Sequence, residues 1–359
     1  MTLGVGLSSC GRTTVARNHA ASSNRAAPRL LADPPLPPYI QRMTRLWKGM
    51  GIVVGAVVVL IAAFVFSAWA PDRTVAELAP RWAPPPSQFI TVNGLAMHLR
   101  DEGLRDDSLP LVLLHGTSAS LHTWDGWTKA LAPTHRVIRL DLPGFGLTGP
   151  TPDSDYAMPG TLAFLAGLLD SLHVTRAIFI GNSMGGAVAT SFAIAHPERV
   201  AKLVLVDAAG YPMRSTSVPI GFRIARSPLL STLMRKVLPR SIVESSVRNV
   251  YGDPSKVTPE LVDRFYELTL RAGNRAAVSA RFQQAPSDSF SNDIKSIHVP
   301  TLILWGTLDH LIPLENAERF HRDIAGSTVV TFDGLGHVPH EEDPARSIVA
   351  VQEFLRGRP

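Results

Sequence analysis

Five residues, Gly181-Asn182-Ser183-Met184-Gly185, follow directly on the apolar run Ala177-Ile178-Phe179-Ile180. A serine with glycine two positions before and two after it, between a strand and a helix, is the pattern of a nucleophile elbow. The turn is so tight that only small residues fit at Gly181 and Gly185. It would expose the Ser183 hydroxyl at a strand tip and aim the Met184 backbone N–H at the atom under attack. Glycine and serine are common, so the pattern gains meaning only if a base, an acid and a second oxyanion donor exist elsewhere.

A hydroxyl is a weak nucleophile until a base takes its proton. Of the 12 histidines, most are expected to pack or face water. His337 stands out because Gly334-Leu335-Gly336-His337 follows the last apolar strand, in a loop able to turn a side chain back over the sheet. His340 reads as surface or pocket wall. The base needs a carboxylate that fixes its tautomer and stabilises its charged form. Asp309, just past the run Thr301–Trp305, is the chosen acid; Asp207, at another strand end, is the rival, read as a cap on the segment that follows. The second oxyanion donor is expected in His115-Gly116-Thr117-Ser118, where Gly116 permits the turn and Thr117 supplies the N–H. His115 itself reads as structural.

The order Ser183, Asp309, His337 is that of the α/β-hydrolase triad. From Ser87 to Arg356 the sequence resembles the α/β-hydrolase fold family, on four motifs: His115-Gly116, Asp141-Leu142-Pro143-Gly144-Phe145-Gly146, Gly181 to Gly186, and Gly336-His337. The resemblance implies that the Asp141 segment is a turn beside the pocket. Within the family the elbow looks like that of bacterial esterases and lipases, and also like that of hydrolases that cleave carbon–carbon bonds in ring-fission products. Serine at 183 argues against relatives that use an aspartate nucleophile. The 115–120 loop lacks the extra glycines common in carbon–carbon hydrolases. The expected activity is therefore carboxylic ester cleavage through an acyl-enzyme, on an apolar small-molecule ester. A carbon–carbon hydrolase, a cofactor-free perhydrolase with the same triad, and a non-catalytic ligand-binding protein remain the alternatives. No metal or cofactor is expected: no histidines at i, i+4 have a third ligand nearby, and no phosphate-binding glycine loop is present.

These groups need a scaffold. Short apolar runs at 89–92, 96–99, 111–114, 137–140, 177–180, 203–206, 301–305 and 328–332 read as strands, the first two as a hairpin around Asn93-Gly94. Most of the later ones alternate with helical spacing. That predicts an α/β fold with a mostly parallel eight-stranded sheet and helices on both faces. The core is expected over 87–208 and 300–359. Between them, 209–299 is helical in pattern (Leu229–Val237, Pro259–Arg271, Arg275–Gln284), a helical lid inserted after the sixth strand.

The formal charge of +5 is unevenly placed. Residues 1–50 hold seven basic groups and one acid, hence +6, and the remainder carries 5 − 6 = −1. A near-neutral body argues against nucleic-acid binding. The single Cys10 excludes an internal disulfide framework. Residues 1–42 read as a disordered basic tail, with Met43 an alternative start. Residues 43–70 read as a signal-anchor: 49–70 carries no charge and as a helix would span about 33 Å, enough to cross a bilayer. The basic flank predicts a cytoplasmic N-terminus and an extracytoplasmic, periplasmic body, with 71–86 a proline-rich linker. Cleavage after Ala70 and secretion is the alternative, disfavoured by Pro71.

Overall fold

The computed structural model describes residues 35–212, 214–284 and 290–357. The chain divides into two compact units, 1–60 and 61–359. The basic tail expected over 1–42 lies mostly outside the described residues. Its last part is helical: α1 runs Pro38–Ser67. Proline suits a first helical turn, where its missing N–H has no acceptor to lose. It is the one described helix long and apolar enough to cross a membrane. It ends three residues before the expected boundary at 70.

The segment 71–86 is not a plain linker. Thr74 and Glu77 form a reciprocal capping box that starts α2 (Val75–Trp82), a Thr-x-x-Glu signature legible in the sequence. Leu78 is fully buried, worth about 1.5–3 kcal/mol. Trp82 Nε1 and Arg81 Nη1 both donate to the Glu267 carboxylate at 2.7 Å. The flanking prolines disguised a helix docked on the body.

All eight expected strands are present: β1 (Ser87–Val92), β2 (Leu95–Gly103), β3 (Leu111–Leu114), β4 (Arg136–Leu140), β5 (Ala177–Asn182), β6 (Val200–Val206), β7 (Thr301–Gly306) and β8 (Thr328–Phe332). They form one sheet in the order β1-β2-β4-β3-β5-β6-β7-β8. The β1/β2 and β2/β4 pairs are antiparallel and the rest parallel. On β5, Ala177 and Phe179 enter one apolar cluster, Ile178 and Ile180 the other. Burial on both faces is why these strands read as continuous apolar runs. Helices α3 (Asp125–Leu131), α4 (Met158–Ser171) and α5 (Met184–Ala195) connect the first strands.

Among the described residues five α-helices separate β6 from β7: α6 (Ile220–Arg226), α7 (Pro228–Met234), α8 (Arg240–Arg248), α9 (Pro259–Thr269) and α10 (Asn274–Gln284). Pro228 in the first turn of α7, with Ser227 as its cap, starts the helix one residue before the expected Leu229, while α6 and α8 fall outside the expected helical segments. The insertion has its own apolar cluster around Val243, Val247, Tyr251 and Val262, joined by Ala70. The chain closes with α11 (Glu315–Asp323), α12 (Pro339–Glu342) and α13 (Pro344–Leu355).

Candidate active site

Ser183 stands between β5 and α5 with φ 53° and ψ −119°, a conformation that an L-residue holds only when its surroundings force it. They do. Ser183 N donates to Val206 O at 3.0 Å, and its carbonyl accepts from Ala187 N and Ala209 N at 3.1 and 3.0 Å. A Cβ on Gly185 would collide with the Leu114 carbonyl, and one on Gly181 with the backbone of Gly185. These glycines let helix and strand approach closely enough to make the turn. Ser183 lines a cavity of about 160 Å³ together with Gly116, Thr117 and His337.

His337 is held at three points. Its Nδ1 lies 2.7 Å from Asp309 Oδ2. Its backbone N donates to Val250 O at 2.8 Å, and its carbonyl accepts from Asn182 Nδ2 at 3.0 Å. Asp309 is fixed in turn, because its Oδ1 accepts the N–H groups of Leu311 and Ile312 at 2.8 and 2.9 Å. With Nδ1 set against the carboxylate, Nε2 is the ring nitrogen left uncommitted.

Asp207 is fully buried, and its Oδ1 accepts from Gly306 N at 2.9 Å. Burial, and next the negative charge of Asp309, push its pKa well above the ordinary carboxylate value. Ligand-type atoms of Asp207, Asp309 and His337 lie within 4.8 Å of one another. A raised pKa favours the neutral carboxyl, a poor cation ligand, and Asp309 Oδ2 already lies 2.7 Å from the imidazole.

Met184 is the first residue of α5, where an N–H has no intrahelical acceptor. Among the described residues Thr117 N donates to no backbone carbonyl. His115 Nδ1 faces Gly116 O at 2.7 Å while its Nε2 accepts from Leu142 N at 2.9 Å. Burial lowers its pKa, so the ring is a neutral brace between the 115–120 loop and the Asp141 turn. That turn is organised by the Asp141 carboxylate, which accepts from Leu121 N and Leu147 N, both at 2.8 Å, and contacts His98 Nδ1 at 2.7 Å.

His340, expected at the surface or in the pocket wall, is fully buried with its ring 4.2 Å from that of Trp124. Sequence reasoning missed two residues. Asn182 bonds the His337 loop, as given above. Glu342 accepts from Gly336 N and Gly252 N at 2.9 Å and Asp253 N at 2.8 Å, tying the histidine loop to the insertion. Glu341-Glu342-Asp343 looks like a solvated charge run, so no local signal marked it.

Comparison with known proteins agrees with this architecture. A family model described as alpha/beta hydrolase fold matches residues 110–344. The 2-hydroxy-6-oxo-2,4-heptadienoate hydrolase of Pseudomonas putida is 32% identical over 278 residues, covering 75% of this chain and 95% of that protein. The solved meta-cleavage product hydrolase from Pseudomonas fluorescens IP01 superposes with a TM-score of 0.66 at 26% identity, over 75% of this chain and 97% of that one. A thermophilic esterase from Thermogutta terrifontis gives 0.62 at 28% identity, over 77% and 99%.

Proposed function

This chain belongs to the alpha/beta hydrolase fold family and is a hydrolase, and from that premise we propose that it cleaves apolar carboxylic esters through a Ser183 acyl-enzyme. His337 Nε2 takes the Ser183 proton as the hydroxyl attacks the ester carbonyl. Asp309 holds the imidazole in the right tautomer and stabilises its positive form. The N–H groups of Met184 and Thr117 receive the oxyanion; losing one such donor costs about 3–4 kcal/mol of transition-state stabilisation. His337 then protonates the departing alcohol, and water repeats the sequence in reverse.

The charge of the cavity lining supports ester over dienoate chemistry. Its charged side chains besides His337 are Arg275 and Glu341. Arg275 is paired with Asp72 at 2.6 Å, and Glu341 with Arg264. Among the described lining residues no cation is free to meet a substrate carboxylate, whereas a neutral acyl chain suits the remaining, mostly apolar wall. Carbon–carbon hydrolysis is the second reading, favoured by the Pseudomonas putida relative. In the same proposal α1 spans a bilayer with Arg42, Arg45 and Lys48 on the cytoplasmic side and the body on the other.

The test is hydrolysis of a p-nitrophenyl ester chain-length series by the full chain in detergent, beside product analysis with a ring-fission dienoate. Turnover of the esters, labelling by a fluorophosphonate, and a loss on the order of 10⁴–10⁶ in Ser183→Ala are expected. Unchanged turnover in that variant overturns the mechanism; dienoate cleavage without ester cleavage overturns the substrate class.

A further inference from the structure

The chain leaving α1 is fastened to the insertion at once. Ser67 ends the helix, and Ala68 O already accepts from Leu238 N at 2.9 Å. Ala70 N donates to Lys236 O at 2.9 Å, making a short antiparallel bridge between Trp69 and Val237. Asp72 extends the attachment through Arg275 at 2.6 Å and Lys236 at 3.5 Å. Wherever the end of α1 sits, the segment immediately after α7 sits beside it.

Helix α7 is two-faced. Ser231 and Met234 point into the cavity that holds Ser183. On its other side Leu229, Leu230 and Leu233 are 81%, 46% and 58% exposed, and the neighbouring Trp69 is 54% exposed. Three outward leucines on a seven-residue helix have no partner among the described residues that covers them. The charge around them is one-sided: from 208 to 243 the sequence holds six basic residues and no acid. Arg223, Arg226, Arg235 and Lys236 are exposed beside the leucines.

An apolar face edged by cations is the composition of a segment that lies in a membrane interface, with side chains at the acyl boundary and cations among anionic headgroups. We propose that α7 docks on an anionic phospholipid surface, the same bilayer that α1 spans, so that the cavity draws its ester from the lipid phase. This rests on the membrane-anchored hydrolase reading above and names where the substrate comes from. Two observations select a lipid surface over a second protein. Trp69, beside the patch, lies two residues past Ser67, the end of a membrane-length helix, and the exposed charges around the patch are mostly cations, Arg223, Arg226, Arg235 and Lys236, with Asp72 set against Lys236 and Arg275.

The experiment uses the full chain in phosphatidylcholine nanodiscs containing phosphatidylglycerol. Cys10 is changed to serine, and a bimane fluorophore is attached at Leu229→Cys or, as a control, at Val349→Cys on α13, another exposed apolar site. Lipids bearing a quencher in the acyl chain should quench the probe at 229 and leave that at 349 bright. A second arm compares Leu229→Asp/Leu233→Asp with the unaltered chain. Hydrolysis of an ester embedded in the disc should fall at least about tenfold, while a short water-soluble ester is cleaved at the same rate.

A chain that resists carbonate extraction yet shows no quenching at 229 overturns the docking surface alone. A chain that carbonate extracts overturns the membrane reading and the docking with it. Quenching at 229 together with no esterase activity in either arm keeps the docking and removes the ester chemistry.

Discussion

Asn182, the residue before the elbow serine, donates from Nδ2 to the carbonyl oxygen of His337 at 3.0 Å, and the same group reaches Val206 O at 3.1 Å. One amide thus ties β5, its neighbour β6 and the loop that carries His337. Asn182→Ala should lower kcat roughly ten- to a hundredfold with little change in KM. It should also cost about 1–3 kcal/mol, because two buried carbonyls lose a partner. Steady-state kinetics and urea unfolding measure both. An unchanged kcat in a folded variant would show that the tie does not position His337.

The two buried aspartates should separate by their protons. Asp309→Asn should reduce kcat on the order of 10⁴, as expected when the carboxylate partner of a catalytic histidine is neutralised. Burial, and next the charge of Asp309, raise the pKa of Asp207 well above the ordinary carboxylate value and so favour its neutral form. Asp207→Asn keeps the shape of a group that burial biases towards its neutral form and should leave kcat at neutral pH within about threefold. The reverse result would exchange their roles.

Stability follows from the same shift. A carboxyl with a raised folded-state pKa contributes fully below its unfolded value, about 3.9, and loses that contribution as pH rises towards the folded value. Asp207→Asn removes this decline. Its unfolding free energy relative to the native chain should therefore improve as pH rises above about 4. A difference that stays flat with pH would mean Asp207 titrates normally.

Two buried histidines act in the opposite sense. Burial lowers the pKa of His115, and burial with nearby positive charge lowers that of His340 well below the ordinary value. Both are neutral when folded, while the unfolded chain takes up their protons near about pH 6.5. Their contribution is present above that value and lost as pH falls below it. His340→Gln should reduce the slope of unfolding free energy against pH, between about 5 and 6.5, by roughly one proton. An unaltered slope would place the titration elsewhere.

The strand set and the alternation that makes an α/β sheet were legible locally, as were Gly116, Thr117, Ser183 and His337, which line the cavity. Apolar runs reveal strands buried on both faces, and a Gly-x-Ser-x-Gly turn announces itself because so few side chains fit it. The capping box at Thr74 and Glu77 was equally legible but hidden between prolines, so 71–86 reads as a linker where a helix stands. Pairings across long separations had no such trace. That Asn182 would reach the carbonyl of His337, that Glu342 would hold three amides of other segments, and that Asp207 would be buried beside Asp309 depend on which strand tips the sheet order sets side by side. Sequence types and short-range periodicity determined what each segment could be. Burial and the distances between segments far apart in the chain decided which carboxylate meets the imidazole and which has its pKa raised, because desolvation and charge proximity exist only once the chain has closed around them.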